Sequence, residues 1–260
     1  MTLPARLFLP LLLLAACAAP AFPADPAAVA AAQRALKAAV SRSDPEALLK
    51  ARARFMALAG AEPDVAALHG WVAVADWRVA PLLMAKDRAQ AERYAKDGLE
   101  HCEAALKLDE RCADCWALKA ALHGFLITFD PASGMTLGPQ TMAELGRAQA
   151  IAPNNPRVWL LDGINTLHMP VAFGGGPARA LDKLRRAQEL FAAGPDTGAF
   201  DWGREDAWIW AGRIAAQQHD YAAADSCYAK ALALDPDNVW VKQRLVPELN
   251  EARSKPETKP

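Results

Sequence analysis

The stretch EDAWIWAGRIAAQQHDYAAADSCYAKALALDPDN, residues 205–238, decides the fold. Both halves are rich in helix formers, the polar Gln217, Gln218, His219 and Asp220 break them apart, and Pro236 ends the second. Small residues at Gly212, Ala224 and Ala231 let two antiparallel helices approach closely, while Trp208 and Tyr228 fill the space between neighbouring pairs. The same stamp returns upstream. Trp159 and Gly163 follow Pro153, Asn154 and Asn155, and Ala180, Leu184 and Ala187 repeat the second-helix spacing. Trp116 opens another first helix, with Thr141, Leu145, Ala148 and Pro153 marking its partner, and Gly98, Cys102 and Ala105 mark one more second helix, with a weaker first helix around 71–79. Two of the connectors, FLITFDPASGMTLGP and LHMPVAFGGG, are long for such a stamp.

Composition agrees. Of 260 residues, 59 are alanine against 23 Val, Ile and Thr together, which argues against any sheet-centred architecture. Lys plus Arg is 29 and Asp plus Glu is 30, so a net charge of -1 gives no electrostatic case for nucleic acid.

With Glu205 as position 1, the spacing of Trp208, Gly212, Ala224, Tyr228, Ala231 and Pro236 resembles the tetratricopeptide repeat (TPR), a 34-residue helix-turn-helix. Two sites depart from it: Ala211 stands where Leu is usual and Ala215 where Tyr is usual. The resemblance implies an all-α TPR-like solenoid of antiparallel helix pairs with long inserted turns. Residues 27–62 form an N-terminal pair broken at Ser43, Asp44 and Pro45, residues 63–250 hold the repeats and a capping helix at 239–249, and the charged, aperiodic 251–260 is expected to be a disordered tail.

The first 17 residues read as an export signal. Arg6 precedes the apolar run LFLPLLLL, which is far short of the roughly 20 residues of a spanning helix. Leu14, Ala15, Ala16 and Cys17 resemble a bacterial lipobox, in which Cys17 is lipidated and becomes the new N-terminus; cleavage after a small-x-small site such as Ala19, Pro20 and Ala21 is the alternative. The position of Cys17 directly after the apolar run, and the tether-like linker 18–26, favour the lipoprotein. By that resemblance Ala18 implies an outer-membrane lipoprotein of the periplasm, its membrane contact a lipid on Cys17.

Few residues suggest chemistry. Cys112 and Cys115 form a C-x-x-C at a helix start, where a disulfide persists in an exported protein and where a helix N-terminus favours thiolate. A static disulfide or plain reduced pair is favoured over a metal site recruiting Cys102 with His101 or His123, and over redox catalysis, which usually needs a βαβ setting. Trp116 stands where haem attachment would need histidine. Gly174, Gly175 and Gly176 before Pro177 and Arg179 could cradle an anion, but the P-loop Lys-Ser/Thr is missing and a turn needing positive φ is favoured. The five histidines form no H-E-x-x-H, no nucleophile motif is present, and no enzyme, metal or cofactor is expected.

What remains is a groove. The repeat resemblance implies that positions 2, 5, 9, 12 and 13 of first helices line a concave face, giving Arg157, Leu160, Ile164, Leu167 and His168, then Asp206, Ile209, Arg213, Ala216 and Gln217. Trp202 and Trp210 are added as aromatic anchors, whereas Trp71, Trp116, Trp159 and Trp208 are packing residues. The Lys/Asn arrangement of repeats that clamp peptide C-termini is absent, because Leu161 and Trp210 occupy its polar sites. The expected function is a non-enzymatic cell-envelope scaffold that binds another protein or peptide. The first alternative is a periplasmic small-molecule or transporter-associated module, similar to the T-component of TRAP transporters; a thiol-redox protein using Cys112 and Cys115 comes third.

Overall fold

The computed structural model describes residues 25–194 and 199–254. The expected export signal with Cys17, and residues 255–260, lie outside them. Among the described residues every regular element is helical: α1 (Pro26–Ser41), α2 (Pro45–Ala61), α3 (Ala66–Leu83), α4 (Arg88–Leu108), α5 (Ala113–Leu126), α6 (Gly134–Ile151), α7 (Pro156–His168), α8 (Pro177–Ala192), α9 (Arg204–Gln217), α10 (Tyr221–Leu234) and α11 (Val246–Ser254). A π-helical segment, Val241–Leu245, leads into α11. Consecutive helices pack as antiparallel pairs, and successive pairs stack into a solenoid.

The starts of these helices are written locally. Asp25, Asp44, Asp87, Asn155 and Asp220 each accept a hydrogen bond from a backbone N–H of the first turn, a cap worth about 1 kcal/mol. Pro26, Pro45, Pro156 and Pro177 occupy first helical positions, where no N–H is needed. The stamp residues then set the spacing within pairs. A Cβ at Gly212 would lie 2.5 Å from the Tyr228 ring and one at Gly163 2.9 Å from Leu184, so α9 against α10, and α7 against α8, need glycine there. The repeated tryptophan closes the preceding turn: the Trp116 indole N–H donates to the Glu110 carbonyl at 3.0 Å and that of Trp159 to the Pro153 carbonyl at 2.7 Å. Only a carbonyl is needed there, which is why Glu110 can stand at the usual proline site.

Three expectations need correction. The weak first helix around Trp71 is α3, the most continuously buried element, with Trp71 through Asp76 all buried; it lacks a one-sided pattern because it is covered all round. The connector expected over residues 125–139 is shorter, since α6 already begins at Gly134 and carries Pro139 within its second turn. The tail begins later than 251, because α11 runs to Ser254, with Arg253 ion-paired to Asp225 on α10.

Closure of the stack positions the site. Residues 199–203, between α8 and α9, fold back across the first helices. Phe200 is buried against Trp71, and the Trp71 indole donates to the Ala199 carbonyl at 3.2 Å. Gly203, at φ 96°, lies against Leu160 and Arg157 on α7. Beyond it, Asp206 at the start of α9 takes both terminal nitrogens of Arg78 on α3, a fork that joins residues 128 apart in sequence. The C-terminal repeat therefore curls round to meet the N-terminal one.

Candidate functional site

This curl divides the expected groove residues into two sets. Arg157, Leu160, Ile164, Asp206 and Ile209 are all under 9% exposed and belong to the interior. Arg157 is paired with Asp114 on α5, and Asp206 with Arg78. Trp202 is half-buried in the same place, packed against Trp77 with its rings 5.3 Å apart, and its buried indole N–H finds no acceptor among the described residues. Gly203 of the connector lies against Leu160 and Arg157, and Arg78 takes Asp206, so the chain itself covers these residues.

The second set stays accessible and comes together. His168 at the end of α7 meets Trp210 on α9 edge to face, ring centres 5.8 Å apart, and Trp210 meets Trp240, just before the π-helical segment, at 6.5 Å. The stripe thus crosses three successive first-helix positions. Arg213, one turn after Trp210, places its guanidinium 4.2 Å from the Trp210 ring centre and 5.3 Å from that of Trp240. Arg213 makes no ion pair or hydrogen bond with the described residues. Burial, then the nearby Arg244, hold its pKa below the ordinary arginine value, outweighing Tyr228 and Glu248. Burial and Arg213 likewise depress His168, which is neutral at pH 7. Trp240 was missed in the sequence because it lies beyond the last full repeat; counting Val239 as position 1 of a further repeat puts it at position 2, a concave site.

The other candidates sort by their contacts. Cys112 and Cys115 are joined as a disulfide, and the Cys115 N–H also donates to Cys112 Sγ at 3.2 Å, so the bridge caps α5. Cys102 is buried, which pushes its thiol pKa far up, and burial also raises that of half-buried Cys227. Of the histidines once grouped with Cys102, His123 Nδ1 is 2.9 Å from Glu144 and His101 Nδ1 is 3.1 Å from His69 Nδ1. His69 Nε2 lies 3.0 Å from the Pro63 carbonyl, to which it donates. Burial, then His69 and Arg52, lower the His101 pKa to about 4. The glycine turn uses its N–H groups internally: Gly174, Gly175 and Gly176 donate to the carbonyls of Val171, Pro170 and Thr166. Gly174 and Gly176 have φ of 90° and 109°, and a Cβ at Gly175 would strike the Met169 carbonyl, so this is a glycine-dependent turn with no free donors for an anion.

The architecture is that of a helical-hairpin solenoid. Residues 205–238 match the tetratricopeptide repeat family, and the fold is TPR-like. No curated protein matches the chain in sequence. Among solved structures, the HusA haemophore from Porphyromonas gingivalis is similar over 73% of this chain and 93% of that one, with 20% identity and a TM-score of 0.61. TTC0263, a thermophilic TPR protein in Thermus thermophilus, is similar over 85% of this chain and 98% of that one, with 16% identity and a TM-score of 0.55. At such identities the likeness is one of fold.

Proposed function

We propose that the protein is a non-enzymatic scaffold of the cell envelope that binds a segment of another protein on the open, C-terminal part of its concave face. The TPR-like fold supports an interaction role, and one observation carries the location: among the described residues, exposed His168 and half-buried Trp210 and Trp240 form an aromatic stripe, and the two indoles meet an arginine that folding has left without an acid. Aromatic and arginine side chains supply most binding energy at interfaces. The test is capture from solubilised envelopes with wild type and with the Trp210→Ala/Trp240→Ala pair. A stoichiometric protein held by the wild type and lost by the pair is expected; a partner held equally by both sinks the location. Envelope tethering rests on the lipobox-like Leu14 to Cys17, and Cys17→Ser should move the protein from the membrane fraction to the soluble one.

A second reading, a small-molecule binding module, is favoured by the similarity to a haemophore. Titration with haemin separates the two. A saturable shift of the haem absorption band, with a matching rise in melting temperature, supports the small molecule; an unchanged spectrum and melt leave the scaffold.

A further inference from the structure

The molecule contains the same device twice, and the two copies differ in one part. Arg78 on α3 lies over Trp77 at 4.5 Å and over Trp202 at 5.4 Å. Arg213 on α9 lies over Trp210 at 4.2 Å and over Trp240 at 5.3 Å. In the first, the donor edge of the guanidinium is filled by the carboxylate of Asp206, accepting from both terminal nitrogens. In the second, no described acid fills it. A guanidinium's N–H donors lie in its plane and leave from its edge, the geometry that matches a carboxylate's two oxygens.

We propose that Arg213, held against Trp210 and Trp240, is the receptor for a carboxylate of an acidic peptide segment bound on the concave face; this rests on the scaffold reading above and names the chemistry of its partner. The surroundings agree with an anionic occupant. Glu248, the nearest acid to act on Arg213, is engaged with Arg244 at 2.9 Å, and Lys242 beside them is exposed. His168 is neutral and adds no competing charge. The contrast in electrostatics points the same way. Burial lowers the pKa of Arg78, yet the charge and hydrogen bonds of Asp206 reverse this and the net change is upward. Arg213, lacking such a partner, is left with a net downward change. A carboxylate arriving at Arg213 would do there what Asp206 does for Arg78. The arrangement is a single guanidinium clasped by indoles, with none of the lysine and asparagine pattern whose absence the sequence already showed.

The test uses short capped peptides and the full-length protein, followed by the indole N–H resonances of Trp210 and Trp240. The probes are acetyl-Leu-Glu-Leu-amide, its Gln counterpart, and acetyl-Leu-Gln-Leu with a free C-terminal carboxylate. At least one carboxylate peptide is expected to shift these resonances with an affinity about tenfold above the Gln amide. The tighter of the two identifies a side chain or a chain terminus as the source. Arg213→Gln should remove the difference and Arg213→Lys should retain part of it, with circular dichroism and melting confirming that each variant folds. Equal binding of charged and neutral peptides, no shift up to about 10 mM peptide, or a preference that survives Arg213→Gln overturns the proposal. Envelope capture with Arg213→Gln keeps the two readings apart: a partner retained by that variant but lost by the tryptophan pair removes the carboxylate receptor and leaves the scaffold standing.

Discussion

The two arginine–indole clusters are built from like parts and finished differently. Toward the N-terminus, Arg78 lies against Trp77 and the connector's Trp202 and is locked to Asp206, so every element of that cluster comes from the chain. Toward the C-terminus, Arg213 lies against its two indoles and no acid among the described residues is paired with it. The difference teaches that the same residue types act as a clasp for the fold in one place and as a surface in the other. What decides between them is whether the chain supplies the acid.

The comparison breaks most sharply at Asp206. Asp206→Ala leaves a guanidinium buried without its counter-charge, and removal of one partner from such a pair costs roughly 3 to 5 kcal/mol. The side chains of Arg78 and Asp206 are only 13% and 6% exposed, so solvent screens little of this. Chemical denaturation should show the loss, with the α3 to α9 junction opening first in hydrogen exchange. A change below about 1 kcal/mol would mean the fork is incidental to closure.

A second buried acid, Asp76 on α3, gives the comparison a pH dependence. Asp76 is fully buried and bonded to Arg52, yet burial dominates and raises its pKa from 3.8 to about 7. A carboxyl whose folded pKa exceeds its unfolded one contributes stability that is fully present below pH 4 and lost as pH rises through about 7. Stability should therefore fall across this window, at most by about 1.4 kcal/mol per pH unit from this group, and Asp76→Asn should flatten that part of the profile. A variant with the wild-type slope would place the proton elsewhere.

The connector can be tested from beneath. A Cβ at Gly70 would come 2.4 Å from Phe200, so Gly70→Ala must push the ring from its seat beside Trp71. Overpacking of this kind costs about 1 to 3 kcal/mol, and proteolysis should then cut between α8 and α9 faster than in wild type. If the cleavage rate holds, Phe200 does not anchor the connector.

Much of this fold was legible because its signals are local. Asp or Asn before proline marks helix starts, and the Trp, Gly, Ala spacing marks pairs, so the solenoid follows from residues within a few turns of each other. The site was half legible for the same reason. Position rules identified His168 and Arg213, and Trp210 was added as an aromatic, but the rules presume an empty groove. Whether Leu160 or Asp206 faces solvent depends on where Phe200 and Trp202 fold, a contact made with residues more than a hundred positions away. The available clue was a connector from Ala193 to Gly203 far longer than a repeat needs, with two aromatics near its end. The helical Met135 to Pro139 stretch was hidden by the opposite prejudice, since glycine and proline read as loop although a helix can carry them in its first turns.

The smallest effect is expected at Arg213. Arg213→Gln removes two ring contacts, each worth about 0.5 to 1 kcal/mol where partly exposed. It also removes a charge whose partial burial and proximity to Arg244 oppose ionisation. These terms have opposite sign and similar size, and no described acid is left stranded, so stability should change by no more than about 0.5 kcal/mol. Measured beside Asp206→Ala, the ratio of the two losses is the quantitative form of the contrast between clasp and surface. A loss at Arg213 approaching that at Asp206 would show that the second cluster also holds the fold together, and the distinction between the two clusters would go with it.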